Sequence, residues 1–81
     1  MITVTEVRVL GDYRLELSFK TGETRVFDVG PYLDMGIFTE LRDPSYFRSV
    51  RLVFGSIAWP NEQDFWPESL HVESRTGGSL I

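Results

Sequence analysis

Four side chains able to do chemistry, Asn61, Glu62, Asp64 and Glu68, crowd the stretch Ile57–Leu70, around Trp59 and Trp66. Asp64 and Glu68 could converge as oxygen ligands for a cation, or Asp64 could act as an acid or base in an aromatic cleft. The same residues also suit a structural role. Each tryptophan precedes a proline, Pro60 or Pro67. Proline locks its own φ and pushes the preceding residue towards extended geometry, so the two Trp-Pro pairs imply a fixed turn. Asn61 and Asp64 could then bond to turn backbone, with Asp64 also satisfying free N–H groups ahead of a helix opening at Pro67. Glu68 would sit in that helix's first turn, where its charge suits the dipole. The structural role is the expected one. Trp59, Phe65 and Trp66 could anchor a partner; in so small a chain they are expected to close the core, with one of them partly exposed.

No other constellation competes. His71 is the only histidine and there is no cysteine, so thiolate chemistry, disulfides and Cys-based metal sites are excluded. The serines show no nucleophile-elbow spacing, and Gly77-Gly78 follows the last expected helix rather than preceding one. No cofactor is expected. The net charge of −4, with seven arginines and one lysine, lacks the basic footprint that direct nucleic-acid binding needs. The carboxylates are scattered, which fits a solvated surface. Arg8, Arg14, Arg25 and Arg51 interleave with Glu6, Glu16 and Glu23, which predicts cross-strand charge pairs rather than a basic stripe. The opening Met-Ile-Thr-Val-Thr-Glu has neither the basic nor the apolar region of a signal peptide, and no run approaches a membrane span. A cytoplasmic location is the expectation.

The elements that must position these residues follow from periodicity. With 81 residues there is room for one core, and a chain this short buries roughly 60–65% of the surface its unfolded form exposes. Six Phe, three Tyr and two Trp compensate in apolar area, and a homodimer would add more. Thr3–Leu10, Tyr13–Phe19 and Thr24–Val29 alternate with period two, which predicts an antiparallel meander. Thr5, Val7 and Val9 form the expected apolar face of the first strand. A three-residue loop over Leu10–Asp12 would pair Val9 with Tyr13 and Val7 with Leu15. A second loop around Gly22 would set Phe27 opposite Leu15 and leave Val26 facing outwards.

Short helical pieces are then expected over Pro31–Asp34 and Ile37–Arg42, with a cleaner start at Asp43-Pro44. Val50–Phe54 and Ile57–Trp59 predict a second hairpin turning at Gly55-Ser56. Asn61–Phe65 reads as loop, and Pro67 to about Ser74 as the C-terminal short helix, with Leu70 buried. The fold class is α+β, one domain over residues 1–74 followed by a tail over 75–81, in which Leu80-Ile81 could pair with another segment.

Three motifs carry a resemblance. They are Phe19-Lys20-Thr21-Gly22 with Asp28, the segment Leu41-Arg42-Asp43-Pro44-Ser45-Tyr46-Phe47, and Trp59-Pro60-Asn61-Glu62-Gln63-Asp64-Phe65-Trp66-Pro67-Glu68-Ser69-Leu70. Together they resemble the bacterial family known as domain of unknown function 2442, over nearly the whole chain. Thr21 stands where that family commonly has Asp. Glu62 stands where it commonly has Gly, which counts against bare backbone or positive φ at that point. The resemblance implies a compact α+β fold and a bacterial, cytoplasmic protein, often encoded beside another small protein in toxin–antitoxin-like pairs. Some relatives carry a helix-turn-helix domain after this one; here the sequence ends at Ile81, so any regulatory role is expected to run through protein contacts.

The functional expectation is a non-catalytic protein-interaction module, the antitoxin-like or regulatory partner of another small protein. Its motif residues would be Trp59, Pro60, Asn61, Asp64, Trp66, Pro67 and Glu68. The alternative is a small-molecule or metal-dependent enzyme using Asp64 and Glu68 in an aromatic cleft.

Overall fold

The computed structural model describes residues 2–76. Strands β1 (Val4–Val9), β2 (Arg14–Phe19) and β3 (Thr24–Asp28) form the expected antiparallel meander. Their alternation buries Leu15, Leu17, Phe19 and Phe27 on one face, which carries the core. Leu15 lies opposite Phe27, as the sequence predicts, and Gly22 takes φ +97° in the connecting turn.

The β1–β2 register differs from expectation. Val9 pairs with Leu15 and Val7 with Leu17, two residues along from the predicted partners. The loop is Gly11–Tyr13, closed by the Leu10 N–H donating to the Arg14 carbonyl at 2.8 Å. Asp12 and Tyr13 both hold left-handed backbone, at φ +59° and +60°. Packing supports that strain: the Tyr13 ring meets Phe47 edge-on at 5.3 Å, and its hydroxyl donates to the Arg42 carbonyl. A bulge between Val4 and Glu6 swaps the end of the first strand. Val4 is buried there and Thr5 exposed, the reverse of simple alternation.

Two 3-10 segments, Gly30–Tyr32 and Gly36–Arg42, cross the core, followed by helix α1 (Pro44–Phe47). Asp43 caps α1 as predicted, accepting from the Ser45 N–H at 2.9 Å. Leu41 and Phe47 are buried. The second hairpin, β4 (Arg51–Val53) and β5 (Ser56–Ala58), turns at Phe54-Gly55 rather than at Gly55-Ser56. It gains a third strand, β6 (Asp64–Phe65), from the segment expected to be loop. Helix α2 (Pro67–Glu73) buries Leu70.

Arg75–Thr76, expected to begin a tail, instead forms β7 on the free edge of β3. Leu80-Ile81 and the rest of that tail lie outside the described residues. A polar cluster ties this corner together. The Arg25 guanidinium donates to the His71 carbonyl at 3.1 Å and pairs with Glu23 at 2.7 Å, while His71 Nε2 lies 2.8 Å from the other Glu23 oxygen. Of the expected cross-strand pairs, Arg8–Glu16 forms, at 3.1 Å.

Hydrogen bonds from His71, then Arg25, hold the Glu23 carboxyl down at about 2, against an ordinary value of 4.5. A folded-state value below the unfolded one contributes stability that is present above about pH 4.5 and is lost as pH falls towards 2. Melting temperatures of Glu23→Gln are therefore expected to fall less steeply than wild type across that window. Parallel acid profiles would refute the coupling.

Candidate functional site

The Trp59–Phe65 segment is built around what Trp59 does. Its side chain is buried against Phe47 and Phe65, and its indole N–H donates to the Phe47 carbonyl at 2.8 Å. The chain then reverses tightly. The Trp59 N–H donates to the Gln63 carbonyl at 2.9 Å, and the Glu62 N–H donates back to the Trp59 carbonyl at 3.0 Å. Pro60 and Asn61 occupy the exposed tip.

Glu62 adopts φ +74°, a left-handed conformation that a glutamate at this position was expected to argue against. That geometry costs an L-residue about 1–2 kcal/mol, of which glycine's greater unfolded freedom would offset roughly half. Glu62→Gly is therefore expected to stabilise the fold by about 0.5–1 kcal/mol in urea unfolding. A loss of stability would mean that the Glu62 side chain makes a compensating contact.

Asn61 does not bond to turn backbone through its side chain as expected. Its amide donates to Glu40 Oε2 at 2.7 Å, and its backbone N–H donates to the Tyr46 hydroxyl at 2.9 Å. The centre of this network is Gln63, which sequence reasoning passed over. Gln63 is 1% exposed; its Oε1 accepts from the Tyr46 hydroxyl at 2.6 Å, and its Nε2 donates to the Ile37 carbonyl and Glu40 Oε1, both at 2.9 Å. Both amide donors are satisfied. One signal was available: in extended chain Gln63 shares a face with Phe65, two residues on, and Phe65 belongs to the aromatic cluster with Phe27, Tyr32 and Phe38.

The other half of the motif faces outwards. Trp66 precedes α2 without a side-chain cap, so Asp64 does not take the capping role predicted for it. Asp64 instead lies on β6 opposite Ala58, which is itself opposite Arg51 on β4, so the three share one sheet face. Ion pairs among the described residues run elsewhere and leave Asp64 without a counter-charge.

A groove of about 240 Å³ opens on that face, lined by Val53, Phe54, Ser56, Ile57, Ala58, Asp64, Phe65, Trp66 and Pro67. Asp64 is the only carboxylate in that lining; Glu68, in the first turn of α2, is not part of it. Trp66 is 78% exposed and Phe54 fully so. Phe54 also holds φ +49°, followed by Gly55 at +76°, the dihedrals of a tight hairpin turn that favours Asn-Gly. The tip is braced from behind: the Val4 N–H donates to the Gly55 carbonyl at 2.8 Å, and Thr3 packs beneath Gly55.

The structure thus divides the motif: Trp59 is buried and Asn61 is tied to Glu40 and Tyr46; Asp64, Trp66 and Pro67 line the groove; Pro60 and Glu68 are exposed outside it. The family model described as "Protein of unknown function (DUF2442)" matches residues 4–76. The chain belongs to this family. The match to DUF2442 spans both sheets, from β1 to β7, and includes the groove. No curated protein and no solved structure matches the chain. Among the described residues, no helix is long and apolar enough to cross a membrane, and no group of three or more His, Asp or Glu side chains could hold a metal.

Proposed function

We propose that this DUF2442 protein is a non-catalytic interaction module, the regulatory, antitoxin-like partner of another small protein in a bacterial cytoplasm. The observation that carries this reading is Phe54. A fully exposed phenylalanine in left-handed backbone is unfavourable twice, through strain and through apolar surface in water, and such outliers gather where they serve contact with something else. Exposed Trp66 lines the same groove, and aromatics of this kind dominate interface energetics. The net charge of −4 favours a protein over nucleic acid as the partner. The reading is non-catalytic because the groove brings one carboxylate to the aromatic rings, without a second group to share proton transfer.

Co-expression with the product of the adjacent gene, followed by size-exclusion chromatography and titration calorimetry, tests it. A complex at micromolar concentration is expected, with Trp66→Ala and Phe54→Asn each weakening it by about tenfold or more. Phe54→Asn should meanwhile raise the melting temperature, because asparagine suits that turn position. A complex indifferent to both substitutions, or none at all, would overturn the reading. The chain run alone reports whether it self-associates.

A further inference from the structure

The groove has a sign as well as a shape. Residues 61–70 supply Glu62, Asp64 and Glu68 and no arginine or lysine. Of these, Asp64 lines the groove beside Trp66. Arg51 stands in the same row beyond Ala58, two strand spacings or roughly 10 Å away, and makes no ion pair with Asp64 among the described residues. Ser56 and Ala58 contribute small side chains to the lining, and the Ser56 hydroxyl already donates to the Phe65 carbonyl. What remains to meet a ligand is one carboxylate in the same lining as Trp66 and Phe54, whose ring faces carry partial negative charge.

That combination matches a flat cation. Guanidinium stacks on aromatic faces and pairs with a carboxylate through two parallel N–H donors, while its methylene stem covers apolar surface. Resting on the interaction reading above, we propose that the groove receives an arginine side chain from an exposed, basic segment of the partner protein. The guanidinium pairs with Asp64 and the stem lies between Trp66 and Phe54. An uncharged segment offers Asp64 only weaker, neutral donors, and an acidic one is repelled by it.

The test uses the whole chain and a blocked tripeptide, acetyl-Val-Arg-Val-amide, alongside the same peptide with citrulline or glutamate in place of arginine. Tryptophan fluorescence reads binding: Trp66 is exposed to a ligand, whereas Trp59 is buried. The arginine peptide is expected to saturate the signal in the millimolar range and to bind at least about tenfold more tightly than the citrulline peptide. Asp64→Asn should erase that difference and leave the fold intact, since the carboxylate is exposed. Trp66→Ala, which removes the exposed fluorophore and is therefore read by titration calorimetry, should weaken both peptides alike. Equal binding of arginine and citrulline peptides, discrimination that survives Asp64→Asn, or no saturation by the arginine peptide would each overturn the proposal. The protein complex separates the two readings: a complex lost in Trp66→Ala but unchanged in Asp64→Asn would retain the interaction module and discard the arginine.

Discussion

Trp59→Ala is expected to lower the free energy of unfolding by about 3–5 kcal/mol, the range for deleting a buried large aromatic. A domain of this length holds roughly 4–12 kcal/mol in total, so the variant should stand at or near the edge of folding. Two losses combine. The ring leaves a void between Phe47 and Phe65, and the Phe47 carbonyl loses its donor. Trp59→Phe separates them, retaining most of the apolar volume while abandoning the hydrogen bond, and should cost about 1–3 kcal/mol. Urea unfolding of the two variants would check the order. Equal losses would mean that the ring volume matters little.

The second large effect belongs to Gln63. Gln63→Leu keeps the volume but strands the Ile37 carbonyl and removes the acceptor of the Tyr46 hydroxyl, for an expected cost of about 2–4 kcal/mol. Gln63→Glu is the sharper probe. One carboxylate oxygen can still accept from Tyr46, but the other would face the Ile37 carbonyl and the Glu40 carboxylate in place of a donor. The introduced acid is therefore favoured neutral in the fold, and its folded pKa should lie above its unfolded one. Stability of this variant should be greatest in mild acid and fall as pH rises to neutrality, opposite in slope to the Glu23 contribution. Melting curves at pH 4 and 7 would decide it; a variant equally stable at both would show that Gln63 is not enclosed as described.

These two residues show what could and could not be read in advance. The meander was legible because alternation forces apolar side chains to one face, and parity then limits the register. A slip of two residues preserves every face, so Val9 could be given to Tyr13 when it belongs to Leu15. Only left-handed backbone at Asp12 and Tyr13 distinguishes the choices, and nothing about tyrosine announces it. The second turn falls one residue earlier than the sequence predicts for a related reason: phenylalanine reads as a strand former, yet Phe54 occupies the turn. Strands β6 and β7 are two residues each, below the length at which periodicity speaks. At the site, Trp-Pro geometry was legible from proline alone. Which tryptophan would be buried was not, because both have the same flanking pattern and only the opposing sheet tells them apart.

The short strand β7 has a consequence for synthesis. It joins the sheet by laddering onto β3, linking position 76 to position 25, while the other ladders join neighbours in the chain. Chain emerging from a ribosome can zip β1, β2 and β3 early, since their loops are brief and cheap to close. The exposed border of β3 must then wait until residues 75–76 have been made before a permanent neighbour arrives. During that interval the nascent protein presents an unpaired strand, the kind of border that recruits other strands. Arg25, which later grips the carbonyls of His71 and Ser74, places a positive charge on that border and discourages premature adhesion until β7 is available to pair with it.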